Sequence, residues 1–183
     1  AMGGPAMIEG GGLGIYTPEE VGPMSFQVPN GVVDILVEDE AEAVQVAKQY
    51  LSYFQGSTDS WEAPYQRKLR HIVPENRLRL YDMREIIATL ADKDSVLEIR
   101  AGYGVGVITC FIRVEGRPMG VIANNPHHLA GAIDSDAADK GTRFIQLCDA
   151  FDIPILSLMD CPGMMVGPDA VSYTHLRAHE TSL

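Results

Sequence analysis

The stretch that decides the fold opens with Gly116-Arg117-Pro118-Met119-Gly120-Val121-Ile122-Ala123-Asn124-Asn125-Pro126. It closes with Ile153-Pro154-Ile155-Leu156-Ser157-Leu158-Met159-Asp160-Cys161-Pro162-Gly163. Both ends read as strands. Pro118 suits a strand entry, where a missing N–H does least harm, and Ile153–Met159 is the near-continuous apolar run of a buried strand. Between them, Asp134, Ser135 and Asp136 offer N-terminal caps to a helix over 137–151. Its inward face is predicted to be Ala137, Gly141, Phe144, Ile145, Cys148 and Phe151. Strand, loop, helix, strand and Gly-rich loop make a βαβ-like unit in an α/β protein. Ligands of such sheets bind in loops beyond the carboxyl ends of the strands, which singles out Asn124–Ile133 and Asp160–Gly167.

Upstream, Glu115-Gly116 reads as a tight turn joining a β-branched strand, Val105–Val114, to the strand at 118–123. Val96–Arg100 is a shorter strand. Asp82 caps a helix over 83–92 with Ile86, Ile87 and Leu90 inward. Gln55–Leu80 carries Gly56, Pro64, Pro74 and a group of basic side chains with little periodicity, the character of a connector. Before it, Asp39 and Glu42 frame a helix over 40–54 with an apolar stripe of Ala43, Ala47, Tyr50, Leu51 and Phe54. Ala1–Gly14 reads as a glycine-rich loop, and Thr17-Pro18-Glu19-Glu20 as one helical turn halted by Gly22-Pro23.

A net charge of −11 argues against nucleic acid and anionic membrane surfaces, since both demand basic patches. No segment approaches the roughly 20 apolar residues of a membrane span. The start lacks the basic-then-apolar pattern of a secretory signal. Cys110, Cys148 and Cys161 form neither a CxxC pair nor a zinc pattern, so a reducing, cytoplasmic setting is predicted. His175 and His179 stand at i, i+4, a spacing that places two imidazoles on one helix face. Without a third ligand they do not make a metal site, and none is predicted. The run from 171 to 183 changes character abruptly and resembles translated adapter sequence, so it reads as foreign to the domain.

Three segments carry a family resemblance. Gly116–Pro126, Lys140-Gly141-Thr142-Arg143-Phe144-Ile145-Gln146-Leu147-Cys148-Asp149-Ala150-Phe151-Asp152-Ile153-Pro154 and Asp160-Cys161-Pro162-Gly163-Met164-Met165-Val166-Gly167 resemble, in order and spacing, the carboxyltransferase subunits of biotin-dependent acyl-CoA carboxylases of the acetyl-/propionyl-CoA carboxylase beta type. Arg79–Ile87 is similar to the segment that opens the second domain of that family. The resemblance implies a crotonase-like ββα superhelix. Residues 1–56 would end the acyl-CoA-side domain, 57–80 would link, and 81–170 would begin the biotin-side domain. It implies carboxybiotin on a carrier protein as cofactor and a coenzyme A thioester as substrate. Biotin carboxyl carrier protein and biotin carboxylase would be partners, within a homo-oligomer.

The chemistry implied is carboxyl transfer from biotin to the α-carbon of an acyl-CoA. Backbone N–H groups would form two oxyanion holes that need no reorganisation as charge develops. The Gly-Gly pair of one hole is expected before residue 1, and the Gly-Ala-type turn of the other beyond the change of character at 171. No catalytic side chain is therefore expected in this chain. Asn124, Asn125, Gly131, Gly163 and Met164 are the residues expected to line the biotin side, with turn capping the alternative for both asparagines and a tight turn for Gly163. Cys161 reads as a small packed thiol, and His127 and His128 as surface residues. A biotin-linked decarboxylase or transcarboxylase would use the same site in reverse. A hydratase or isomerase would need a glutamate set by a Gly-rich loop, and none is suitably placed. The chain alone is expected to be an inactive structural or dimerisation piece.

Overall fold

The computed structural model describes residues 4–76 and 79–167. The His175/His179 pair, the change of character from 171 onward and the last part of the predicted biotin-side domain lie outside them.

Four strands form one sheet in the order in which they occur: β1 (Leu97–Ile99), β2 (Val107–Val114), β3 (Arg117–Asn124) and β4 (Ile155–Leu158). The first three are antiparallel neighbours. β4 joins β3 in parallel, Gly120 opposite Ile155 and Ala123 opposite Leu158. The crossover between them is helix α6 (Ser135–Ala150), so the predicted βαβ unit is present. The β2–β3 turn is tight because Glu115 and Gly116 both take positive φ, 50° and 75°. Asp92 fixes it by accepting from both amides, at 3.0 and 2.7 Å.

Strand alternation sends the residues of β2 to two faces. Val107 and Phe111 join Leu97, Ile99, Ile122, Ala137, Phe144 and Cys148 in one buried cluster beneath α6 and α3 (Glu40–Ser52). Ile108, Cys110 and Ile112 join Val121 and Ala123 in a second, covered by Met83 and Ile87 of α5 (Met83–Leu90). The sheet is thus sandwiched between helices, the layering expected of an α/β unit.

Asp39 caps α3 by accepting from the Glu42 amide at 2.8 Å, and Glu42 answers by accepting from Glu38. Asp134 caps α6 through the Ala137 amide at 2.9 Å. The apolar stripes need correction. On α3, Ala43, Ala47 and Leu51 are exposed and Tyr53, just past the helix end, is buried instead, its ring stacked on Phe111. On α6, Ile145 is exposed and Lys140 is buried in its stead. Phe151 is also exposed, although its ring meets Phe54 edge-on at 4.8 Å. In the segment read as a glycine-rich loop, residues Pro5–Gly10 form a short helix (α1), proline at its first turn. A second short helix, α2 (Met24–Gln27), was not anticipated. At Thr17 only a turn forms, closed by Glu20 accepting from the Thr17 amide. The connector holds one short helix, α4 (Leu69–Ile72), preceded by a 3₁₀ turn.

Candidate functional site

The carboxyl ends of the parallel pair β3 and β4 deliver the two loops singled out in the sequence. Asn124 is the last residue of β3 and is fully buried. Its side chain donates from Nδ2 to the Asp160 carbonyl at 2.8 Å and accepts through Oδ1 from the Asp160 amide at 2.7 Å. The amide thus acts as an extra rung of sheet between the two loops, using its donor and acceptor in the way a backbone peptide would. Gly131 backs onto this clamp at φ +87°. A Cβ there would lie 2.7 Å from Asn124 Nδ2, so the position excludes any side chain.

Asn125 is buried too. Its Nδ2 donates to the Val105 carbonyl at 2.9 Å and its Oδ1 accepts from the His127 amide. Both asparagine side chains are therefore engaged in loop building. Leu129, Ala130 and Gly131 all have positive φ, an unusual left-handed run for two residues bearing Cβ atoms. His128 is not a loose surface residue: its Nε2 shares a 2.7 Å hydrogen bond with Asp134 Oδ2, tying the loop to the start of α6. His127 is exposed.

Beyond Asp160, the second loop is tied to the first by main chain. Ile133 donates to the Gly163 carbonyl at 3.1 Å and Met165 donates to the Ile133 carbonyl at 2.8 Å, with Ile133 and Met164 bridged in parallel. Met164 and Val166 are 58% and 88% exposed, an apolar tip facing outward. Cys161 Sγ accepts from the Gly163 amide at 3.3 Å, so the thiol shapes the turn rather than packing inside.

A groove of about 640 Å³ runs beside these loops, walled by Leu80, Tyr81, Pro126, Ala130, Asp160 and Pro162 among others. Tyr81 donates its hydroxyl proton to Asp160 Oδ2 at 2.7 Å. Partial burial and the Asp160 carboxylate push the Tyr81 phenol up to about 12, so it stays a neutral donor at ordinary pH. The structure brings Asn124, Gly131, Gly163 and Met164 to one end of the sheet, but none of the five predicted residues forms the groove wall; Asn124, Asn125 and Gly131 build the loops beside it. The wall residues Tyr81 and Asp160 lie inside segments singled out in the sequence, 79–87 and 160–167, but their pairing was not legible because they lie far apart in the chain. Among the described residues no cluster of His, Cys, Asp and Glu could hold a metal ion.

A two-sided α/β sheet with a loop groove at the carboxyl ends of a parallel strand pair is a ligand-binding design shared by many enzymes. The residues narrow it: this chain belongs to the carboxyl transferase domain family, which matches residues 3–177. It is 40% identical over 147 residues to the uncharacterised carboxylase YngE of Bacillus subtilis, covering 75% of this chain and 29% of the relative. It is 35% identical over 162 residues to the biotin-dependent long chain acyl-coenzyme A carboxylase beta4 subunit of Mycobacterium tuberculosis, covering 81% and 31%. Among solved structures, a single-chain, multi-domain long-chain acyl-CoA carboxylase superposes with a TM-score of 0.91 at 58% identity, over 97% of this chain and 18% of that one. The transcarboxylase 12S crystal structure, with hydrolysed methylmalonyl-coenzyme A bound, superposes at 0.77 and 31% identity, over 97% and 37%. The chain spans about a third of the length of the curated relatives it matches.

Proposed function

We propose that the protein carrying this domain moves a carboxyl group from carboxybiotin, presented on a carrier protein, to the α-carbon of an acyl-CoA. The observation that carries the reading is the pair of loops at the ends of β3 and β4: the motif-bearing residues of both are locked into one rigid unit by Asn124 and Asp160. The finer fold assignment, a crotonase-like ββα superhelix divided at 1–56, 57–80 and 81–170, belongs to the same proposal. It is supported by the largely exposed connector between α3 and α5.

The groove suits biotin's neutral fused ring. Leu80, Pro126, Ala130 and Pro162 supply apolar wall, and Glu75, Arg79, Tyr81 and Asp160 supply polar groups. Biotin, when bound, supplies the transferable carboxyl group. This chain's residues hold the loops, shield one side of the ring from water and keep a neutral hydroxyl at the wall. In this reading Gly163 and Met164 form the exposed lip of the site, while Asn124, Asn125 and Gly131 shape it from behind. A biotin carboxyl carrier protein, a biotin carboxylase and further copies of the chain are the proposed partners.

The relatives also include the methylmalonyl-CoA carboxyltransferase 12S subunit of Propionibacterium freudenreichii, 34% identical over 175 residues and covering 90% of this chain and 33% of the relative. That name favours a biotin-linked transcarboxylase as the second reading. The test is to supply the protein encoded by the uninterrupted reading frame with carboxybiotin carrier and a panel of acyl-CoAs. Labelled carboxyl should appear on the acyl-CoA. Thioester hydration without biotin dependence would sink the proposal.

A further inference from the structure

Away from the loop groove, a cavity of about 530 Å³ opens between α3, α6 and the sheet. This is within the roughly 300–1,000 Å³ of small-molecule sites. Its walls are mostly apolar: Val46 and Tyr50 from α3, Ile99 from β1, Phe144 and Leu147 from α6. Three cations also line it. Arg100 forms an ion pair with Asp34, its Nε 2.8 Å from Oδ1 though not aligned as a hydrogen bond, and its backbone amide donates to the Asp34 carbonyl at 2.7 Å. Arg143 lies on the exposed side of α6. The third, Lys140, is 1% exposed, and its Nζ is buried with no hydrogen-bond partner among the described residues.

An ammonium group in that position is costly unless something pairs with it. Glu98, whose charge acts on Lys140 through space, is already held by Arg84 through two hydrogen bonds of 2.8 and 2.7 Å. Asp34 is taken by Arg100. A buried cation without a hydrogen-bond partner, set in a mostly apolar chamber with Arg143 at its exposed side, matches an amphiphilic anion, the head on the cation and the tail along the walls.

We propose that this cavity is a binding site for an aliphatic carboxylate, its carboxylate paired with Lys140 and its chain lying against Val46, Tyr50, Ile99 and Leu147. The proposal does not depend on the reaction assigned above. The site lies where α3 crosses the sheet, so occupancy would brace the first helix of the described core against the βαβ unit.

The test is calorimetric titration of the 183-residue chain with octanoate, and with 1-octanol as an uncharged counterpart. Octanoate should bind saturably and at least about tenfold more tightly than octanol, a margin worth one charge-assisted contact. Lys140→Met keeps the volume and removes the charge; it should erase that margin while the far-ultraviolet circular dichroism stays unchanged. Ala47→Trp, at an exposed wall position on α3, should block the mouth and weaken both probes. Equal affinity for the two probes, or an octanoate advantage that survives Lys140→Met, would overturn the proposal. If Lys140→Met does not fold, Ala47→Trp decides: unchanged octanoate affinity in that variant places any binding elsewhere and the proposal fails.

Discussion

Asn124 is the residue on which the candidate site hangs. A buried side chain that replaces two backbone partners leaves both orphaned when it is removed, and an unsatisfied buried group costs about 1–3 kcal/mol. Asn124→Ala should therefore lower stability by about 2–4 kcal/mol in urea denaturation. It should also speed amide exchange at Asp160 more than in β1. A loss below about 0.5 kcal/mol would mean that water replaces the clamp. Gly141 is the converse case. It lies inside α6 in helical geometry, and a Cβ there would meet nothing within 4 Å. Gly141→Ala should stabilise by about 0.5–1 kcal/mol, because alanine loses less chain entropy and clashes with nothing. Unchanged or lowered stability would show that the position is tighter than its geometry says.

These residues also mark how far the sequence can be read. The strand–helix–strand order was legible because apolar runs and caps are local signals. Asn124 was singled out, but the use of its amide was not, since its partner lies across the sheet. Lys140 was invisible as a core residue: a hydrophobic stripe is drawn by skipping charged positions, so Ile145 was taken in its place. Tyr53 was missed for a related reason. It follows α3, where helical spacing no longer says which way a side chain turns.

At the scale of elements, the joint between α3 and the hairpin rests on Arg113. Its guanidinium donates to the carbonyls of Gly56 at 3.0 Å, Gly116 at 2.6 Å and Ser52 at 2.7 Å, and lies 5.4 Å from the Tyr53 ring centre. One buried cation thus closes the carboxyl end of α3, the first residues of the connector and the β2–β3 turn. A cation at a helix carboxyl end also complements the helix dipole. Arg113→Met keeps the aliphatic stem and removes the donors. It should cost about 3 kcal/mol and raise hydrogen exchange across α3 while leaving α5 protected. Equal exchange changes in both helices would mean that α3 does not open as a separate unit.

At the scale of the whole molecule, alkaline pH should reveal opposing groups. Burial pushes the Lys140 ammonium down to about 8 from an ordinary 10.5. A lowered lysine disfavours folding while it is charged. The penalty is present in full below about pH 8 and fades as pH rises toward 10.5, where the unfolded chain loses its proton too. Lys140→Met should accordingly be more stable than the parent by about 3 kcal/mol at pH 7, and the gap should close by about pH 10.5. Cys110 and Cys148 work the other way. Burial raises their thiols to about 12 and about 11 from 9.0. Their neutral forms favour the fold below pH 9, and that contribution is lost above it. Thermal midpoints measured for both chains across pH 7–10.5 would check the pair; a gap independent of pH would remove Lys140 as its source.

The order of strands in the sheet, identical to their order along the chain, has a kinetic meaning. β1, β2 and β3 each pair with a neighbour across a short turn or loop, so little chain entropy is lost before each new contact is made. A nascent chain emerging amino end first can lay down the hairpin while the rest is still being made. Only β4 must wait, because its parallel pairing with β3 requires α6 to be in place. The two loops that frame the candidate site are therefore the last part of the sheet to be joined, and Asn124 closes that seam.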